Sequence, residues 1–161
     1  MKMKIILVGG AVVVAAIGWF VVKPMLFGSK AAPVYTDQQI ADAPRPTVTL
    51  EERVLNLKAP ATAPNYVKAV IALEFADPKH QWIGLKGAGL DAKNKAFQDD
   101  MKPEMHRIWD IITSVVGAKS VDQVSSSDGR EKLKQDLVAS INQELKNEKV
   151  ESVYFVTFIT Q

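Results

Sequence analysis

Residues 150–161 read VESVYFVTFITQ and close the sequence. Valine, tyrosine, phenylalanine, threonine and isoleucine favour a pleated, packed surface, and a terminal segment frays unless a sheet holds it. An earlier strand must therefore pair with this one. Taken as one regular strand, the segment sets Val153, Phe155, Thr157 and Ile159 on one face and Tyr154, Val156, Phe158 and Thr160 on the other. Apolar side chains on both faces predict a central or doubly covered strand, lying between earlier strands or under a neighbouring subunit.

Two earlier segments can supply the pairing. In residues 47–57, TVTLEERVLNL, Val48 and Leu50 share one face while Leu55 and Leu57 share the other, so a bulge or break is expected near residues 51–53. After the proline-built loop KAPATAPN, residues 66–75 alternate strictly: Val67, Ala69, Ile71, Leu73 and Phe75 on one side, and Tyr66, Lys68, Val70, Ala72 and Glu74 on the other. This strand should lay one face on the core and keep the other wetter. Residues 76–91, ADPKHQWIGLKGAGLD, carry three glycines and one proline and are expected to form a loop. Its glycines resemble a phosphate cradle only superficially, because no lysine-serine pair or dinucleotide fingerprint follows in register. Trp82, Ile83 and Leu85 form its apolar cluster, either as a partner contact or with Trp82 folded back over the sheet edge.

Beyond Pro103 the period becomes helical, with Met105, Ile108, Ile112 and Val115 three or four apart and Trp109 and Val116 beside them. Pro103 suits a first turn and Gly117 the position just past the helix end; Phe97 and Met101 extend the stripe backward if the preceding segment is also helical. A second helix spans SSSDGREKLKQDLVASINQELK, with Asp128 and Glu131 resembling a capping box and Leu133, Leu137, Ile141 and Leu145 forming an i, i+4 stripe. The order strand, strand, helix, helix, strand predicts an α+β fold with a small sheet covered by two helices. Its predicted core comprises Val67, Ile71, Leu73, Ile108, Ile112, Leu133, Leu137, Ile141, Val153 and Phe155.

The amino-terminal part differs in kind. Residues 5–22, IILVGGAVVVAAIGWFVV, hold no charged side chain, and eighteen helical residues span roughly 27 Å, close to a bilayer core. The run exceeds the ~7–15 residues of a signal-peptide core and lacks a small-x-small cleavage site before Lys23, which predicts an uncleaved anchor. Lys2 and Lys4 place residues 1–4 in the cytoplasm by the positive-inside rule, and Trp19, Phe20 and Lys23 suit the outer membrane interface. Residues 23–46, interrupted by Pro24, Pro33, Pro44 and Pro46, read as a tether to the folded part, residues 47–161.

Chemistry is poorly represented. With 161 residues, a net charge of +2 and lysines mixed among acids, the composition favours neither a nucleic-acid surface nor a charged tail. Zero cysteines exclude disulfides, thiolate metal sites and cysteine nucleophiles. His80 and His106 lack zinc-site spacing and read as surface residues; no nucleophile elbow occurs, and the adjacent Asp99 and Asp100 diverge by about 100° on a helix. Neither a metal, a cofactor nor a catalytic residue is expected.

The anchor, the RVLNL strand at residues 53–57, the YVKAVIALEF strand, the GREKLKQDLVASINQEL helix with Gly129, Leu133, Ile141 and Asn142, and the terminal VYFVTFITQ together resemble the FliL family of flagellar basal-body-associated proteins. That resemblance implies a single-pass inner-membrane protein whose external domain is similar to the SPFH domain of stomatin-type proteins. It also implies partners: stator subunits of the MotA/MotB type, membrane lipid through the anchor, and further copies of itself in a ring. By the same likeness the protein would support stator function and motility through non-catalytic contact. A general stomatin-type envelope scaffold and a secreted or anchored hydrolase are the competing expectations. Only four residues precede the anchor, and the loop at residues 76–91 aligns with no family motif, so neither a cytoplasmic contact nor the ring interface follows from the resemblance.

Overall fold

The strict alternation of residues 65–75 organises the domain. In the computed structural model, which describes residues 33–60 and 62–161, Thr36–Gln161 form one unit. It begins with a short helix, α1 (Asp37–Ala41), followed by strands β1 (Thr47–Thr49), β2 (Arg53–Leu57) and β3 (Asn65–Phe75). Helix α2 (Gly87–Met101) runs through a 3₁₀ turn into α3 (Met105–Gly117); α4 (Val121–Ser125), α5 (Ser127–Glu144) and β4 (Val150–Thr160) complete it. The fold is α+β, as the grouping of strands and helices predicts.

Strand β3 is the centre of an antiparallel sheet. β1 and β2 lie end to end along one of its edges, with Val48 opposite Leu73 and Leu55 opposite Val67, and β4 pairs the other edge. The expected break in residues 47–57 is the gap at residues 50–52, which lets Val48, Leu50, Leu55 and Leu57 all turn inward and become buried. Val67, Ala69, Ile71, Leu73 and Phe75 are at most 1% exposed. Above them α2 packs on β1, α3 on β2 and α5 on β4, and α3 and α5 pack on each other. The inward stripe comprises Ile108, Ile112 and Val116 from α3 and Leu133, Leu137 and Ile141 from α5, each 1% exposed or less. Val153 is buried beside Leu73, and Phe155 packs half-buried against the same core.

Several expectations need correction. β4 is an edge strand: among the described residues it pairs with β3 alone. Nor are its faces those of a regular strand. Val70 opposes Thr157 and Ile71 opposes Phe155, so Val156 is skipped as a bulge; a second shift skips Glu151 between Ser152 and Val150. Beyond Val156 the faces exchange, and Val153, Phe155, Phe158 and Thr160 lie on the helix-covered side while Tyr154, Thr157 and Ile159 lie on the other. The expected loop at residues 76–91 ends at Lys86, because a third long helix starts at Gly87 and carries Phe97 and Met101 to the core. The cap of α5 is Ser126, whose hydroxyl accepts from the Gly129 N–H at 3.0 Å, and not Asp128, which sits in the first turn. Gly117 is the last residue of α3 instead of the one beyond it. Within the expected tether, Thr36 and Gln39 form a capping box that starts α1.

The expected membrane span and its interface residues Trp19, Phe20 and Lys23 lie outside the described residues. Among the described residues no helix is long and apolar enough to cross a membrane.

Candidate functional site

The loop after β3 is tied down by one carboxylate. Asp77 Oδ1 accepts from the Gln81 N–H at 3.0 Å and Oδ2 from the Trp82 N–H at 2.8 Å, which turns the indole inward. Trp82 is 4% exposed and meets Phe97 edge-on at 6.2 Å, and Phe97 meets Phe75 at 5.1 Å. The Lys93 ammonium lies 5.6 Å from the Trp82 ring centroid and donates to the Gln81 carbonyl at 3.0 Å. Of the three residues considered for a partner contact, Trp82 therefore belongs to the domain's own packing, and Ile83 and Leu85 are half-buried around it.

Among the described residues, Asp99, Asp100 and His106 sit in different surroundings. Asp99 pairs with Lys102 at 2.7 Å, and that hydrogen bond and the lysine charge hold its carboxyl below the usual carboxylate range. Asp100 borders a separate hollow with Arg107 and Leu145. Among the described residues no three histidines or acids cluster to hold a metal ion. His106 lines an open groove of about 770 Å³ between α3 and the gap after β1, with Glu51, Lys102 and Asp110. On its wall the Arg53 guanidinium stacks 4.0 Å from the centroid of Trp109. Sequence reading missed this pair, since the two residues are remote in the chain and no local spacing joins them.

The sheet's uncovered face is the more distinctive surface. Across it run Val54, Lys68 and Ile159 in one row, Asn56 and Tyr66 in the next, and Ala72 with Tyr154 further along. Every exposed large apolar side chain among the described residues except Val34 lies on this face or at the bulge of β4: Val54, Tyr66, Tyr154, Val156 and Ile159. Single exposed apolar residues are ordinary, but a cluster with a polar rim marks an interaction surface. Lys68 is held by Glu52 at 2.9 Å, and the Tyr154 hydroxyl donates to the Glu74 carboxylate at 2.7 Å.

That hydroxyl bond has a measurable consequence. The Glu74 acceptor raises the Tyr154 phenol above the usual tyrosine range, partly opposed by a hydrogen bond from Ser152. A raised folded pKa favours the protonated phenol, so the pair's small stabilisation holds at neutral pH and is lost as pH rises through the folded value. Glu74→Gln should shift the Tyr154 ionisation to lower pH in a tyrosinate-absorbance titration. An unchanged curve would show that the carboxylate does not act on the phenol.

With this geometry in view, comparison with known proteins assigns the chain. The family model described as flagellar basal body-associated protein FliL matches residues 47–161. The chain belongs to the FliL family. A flagellar protein FliL of Aquifex aeolicus (strain VF5) is 27% identical over 110 residues, which cover 65% of this chain and 68% of that protein. The FliL match starts at the first residue of β1 and takes in the whole sheet with α2 to α5, leaving out α1. The uncovered face and the free edge of β4 therefore belong to the FliL portion. Two residues of the family-like helix hold structural places within it. Gly129 sits where α5 crosses the end of α4, and the Asn142 amide binds both backbone groups of Val150.

Proposed function

We propose that the protein is a membrane-anchored accessory of the flagellar motor, working beside the stator by contact and without catalysis. The single observation that carries this reading is the FliL match across the whole sheet, residues 47–161. The exposed apolar face supports it, because an accessory of this kind needs a docking surface more than a pocket. The chain before β1 reaches the sheet at the end marked by Phe75 and Val150: the Phe75 N–H donates to the Pro46 carbonyl at 2.8 Å, and Arg45 pairs with Glu151 at 3.6 Å. The external domain would be SPFH-like and would bind stator subunits of the MotA/MotB type, and copies of itself in a ring. A contact that binds one stator conformation more tightly shifts its population by the difference in affinity.

Deleting the gene should leave flagella in place and impair swimming or swarming under viscous load, with recovery on complementation. Unchanged motility at every load would overturn the motor role and leave a general envelope scaffold. A reporter fused after Gln161 should be active only outside the cytoplasm.

A further inference from the structure

The chain enters the sheet through its shortest strand. β1 is three residues long, and the gap at residues 50–52 separates it from β2, so β1 can leave β3 without unpairing β2. Its apolar hold on the core is Val48 and Leu50. The rest of its hold is polar. Alternation along β3 turns the backbone groups of Val67, Ala69, Ile71, Leu73 and Phe75 toward β2 and β1: the Phe75 N–H donates to the Pro46 carbonyl and the Leu50 N–H to the Ile71 carbonyl, each at 2.8 Å. Thr47, opposite Glu74, therefore points its own backbone groups away from β3, where α2 meets them. Its N–H donates to Asn94 Oδ1 at 3.0 Å, and its carbonyl accepts from Gln98 Nε2 at 3.1 Å. Two amides one turn apart on α2 stand in for a neighbouring strand.

α2 is also the least buried of the long helices. Of its fifteen residues only Met101, the last, is buried, against four in α3 and three in α5. It packs on β1 and reaches β3 through Phe97, which meets Phe75 edge-on. Irregular backbone bounds the pair on both sides: the gap at residues 50–52 follows β1, and the 3₁₀ turn Lys102–Glu104, with Pro103, follows α2. The outer tie, Arg45 to Glu151 at 3.6 Å, is partly exposed, and such pairs hold weakly. Few buried side chains and ties that water can replace mark the parts of a fold that open first.

We infer that β1 and α2 form a flap, a joint that opens as a unit ahead of the rest of the domain with Thr47 still clamped to α2. Closed, it holds the entering chain rigidly against the end of β3. Open, it lets the chain before Arg45 swing with the flap while the sheet, α3 and α5 pivot beneath, and it bares the backbone groups of Ile71, Leu73 and Phe75. The joint is a property of the folded chain and holds whether or not the protein serves a motor.

Residue-resolved amide exchange of the full chain in detergent micelles reads the joint directly. The amides bonded between β1 and β3, those of Val48, Leu50, Leu73 and Phe75, should exchange together, about tenfold or more faster than those of Val67 and Ala69, which face β2. Ala72 and Glu74, interleaved with them but facing β4, should stay as slow as Val67. Equal rates for Leu73 and Val67 would overturn the joint. Thr49 and Ala72 lie directly opposite as a pair without mutual hydrogen bonds, the closer kind in an antiparallel ladder, and the chain has no cysteine of its own. Thr49→Cys with Ala72→Cys, oxidised, should therefore close the gap between the two groups of amides, and reduction should reopen it; a gap that survives the disulfide would count against the flap. Phe97→Ala decides whether α2 moves with β1. It should speed exchange at Val48 and Leu50 about tenfold or more, whereas unchanged rates there at a lowered melting temperature would mean that β1 opens alone.

Discussion

Asn142→Leu should destabilise the domain by about 2–6 kcal/mol, a cost of about 1–3 for each of two backbone groups left without a partner. The Asn142 side-chain N–H donates to the Val150 carbonyl at 2.9 Å, and its oxygen accepts from the Val150 N–H at 2.8 Å. Val150 is 3% exposed and opens β4 opposite Phe75. One amide thus satisfies both polar groups of a buried residue at the point where the chain leaves α5 and joins the sheet. Leucine has the same branched set of heavy atoms, in a bulkier side chain, and no polar atom, so it leaves both groups orphaned. The melting temperature of the full chain should fall by about 6–18 °C. Asn142→Ala should cost less than leucine, because the space it opens can admit a water that bonds both groups. Equal melting temperatures for wild type and Asn142→Leu would show that β3 alone anchors the last strand.

How far the sequence discloses this fold depends on whether each signal is local. β3 was legible because its five inward residues alternate without interruption and all five are buried. The stripe of α5 was legible for the same reason at a helical period. β4 was misread because its two-sided apolar pattern has two sources. The bulge at Val156 brings Phe155 and Phe158, three apart, onto one inner face, and Tyr154, Val156 and Ile159 are left exposed. Period-two reading turns a change of face into a second buried face. The first turn of α2 holds two glycines, Gly87 and Gly89, and no side-chain cap, so only Phe97 and Met101 hinted at it. The candidate surface was less legible still. Val54, Tyr66 and Ile159 become neighbours only through strand register, and no spacing along the chain records that.

The register of α4 against α5 supplies the second large effect. An exposed helical glycine usually gains about 1 kcal/mol when changed to alanine. At Gly129 the sign should reverse. A Cβ there would collide with the Gln123 carbonyl oxygen and lie 2.9 Å from its carbon and from Ser126 Oγ. Ser126 can rotate, but it is also the cap of α5, and the Gln123 carbonyl is backbone. Relief therefore requires α4 to move away from α5. That movement pulls on Val124, which is fully buried, and on the Lys119–Asp136 ion pair at 2.6 Å that ties the turn before α4 to α5. Gly129→Ala should lose about 1–3 kcal/mol net, as overpacked sites do, and Gly129→Val more. Adding Gln123→Ala should not rescue the loss, since it removes the side chain and leaves the obstructing carbonyl. Thermal melts of the three variants decide the matter: a Gly129→Ala chain that melts at or above the wild-type temperature would mean that the two helices separate at no cost.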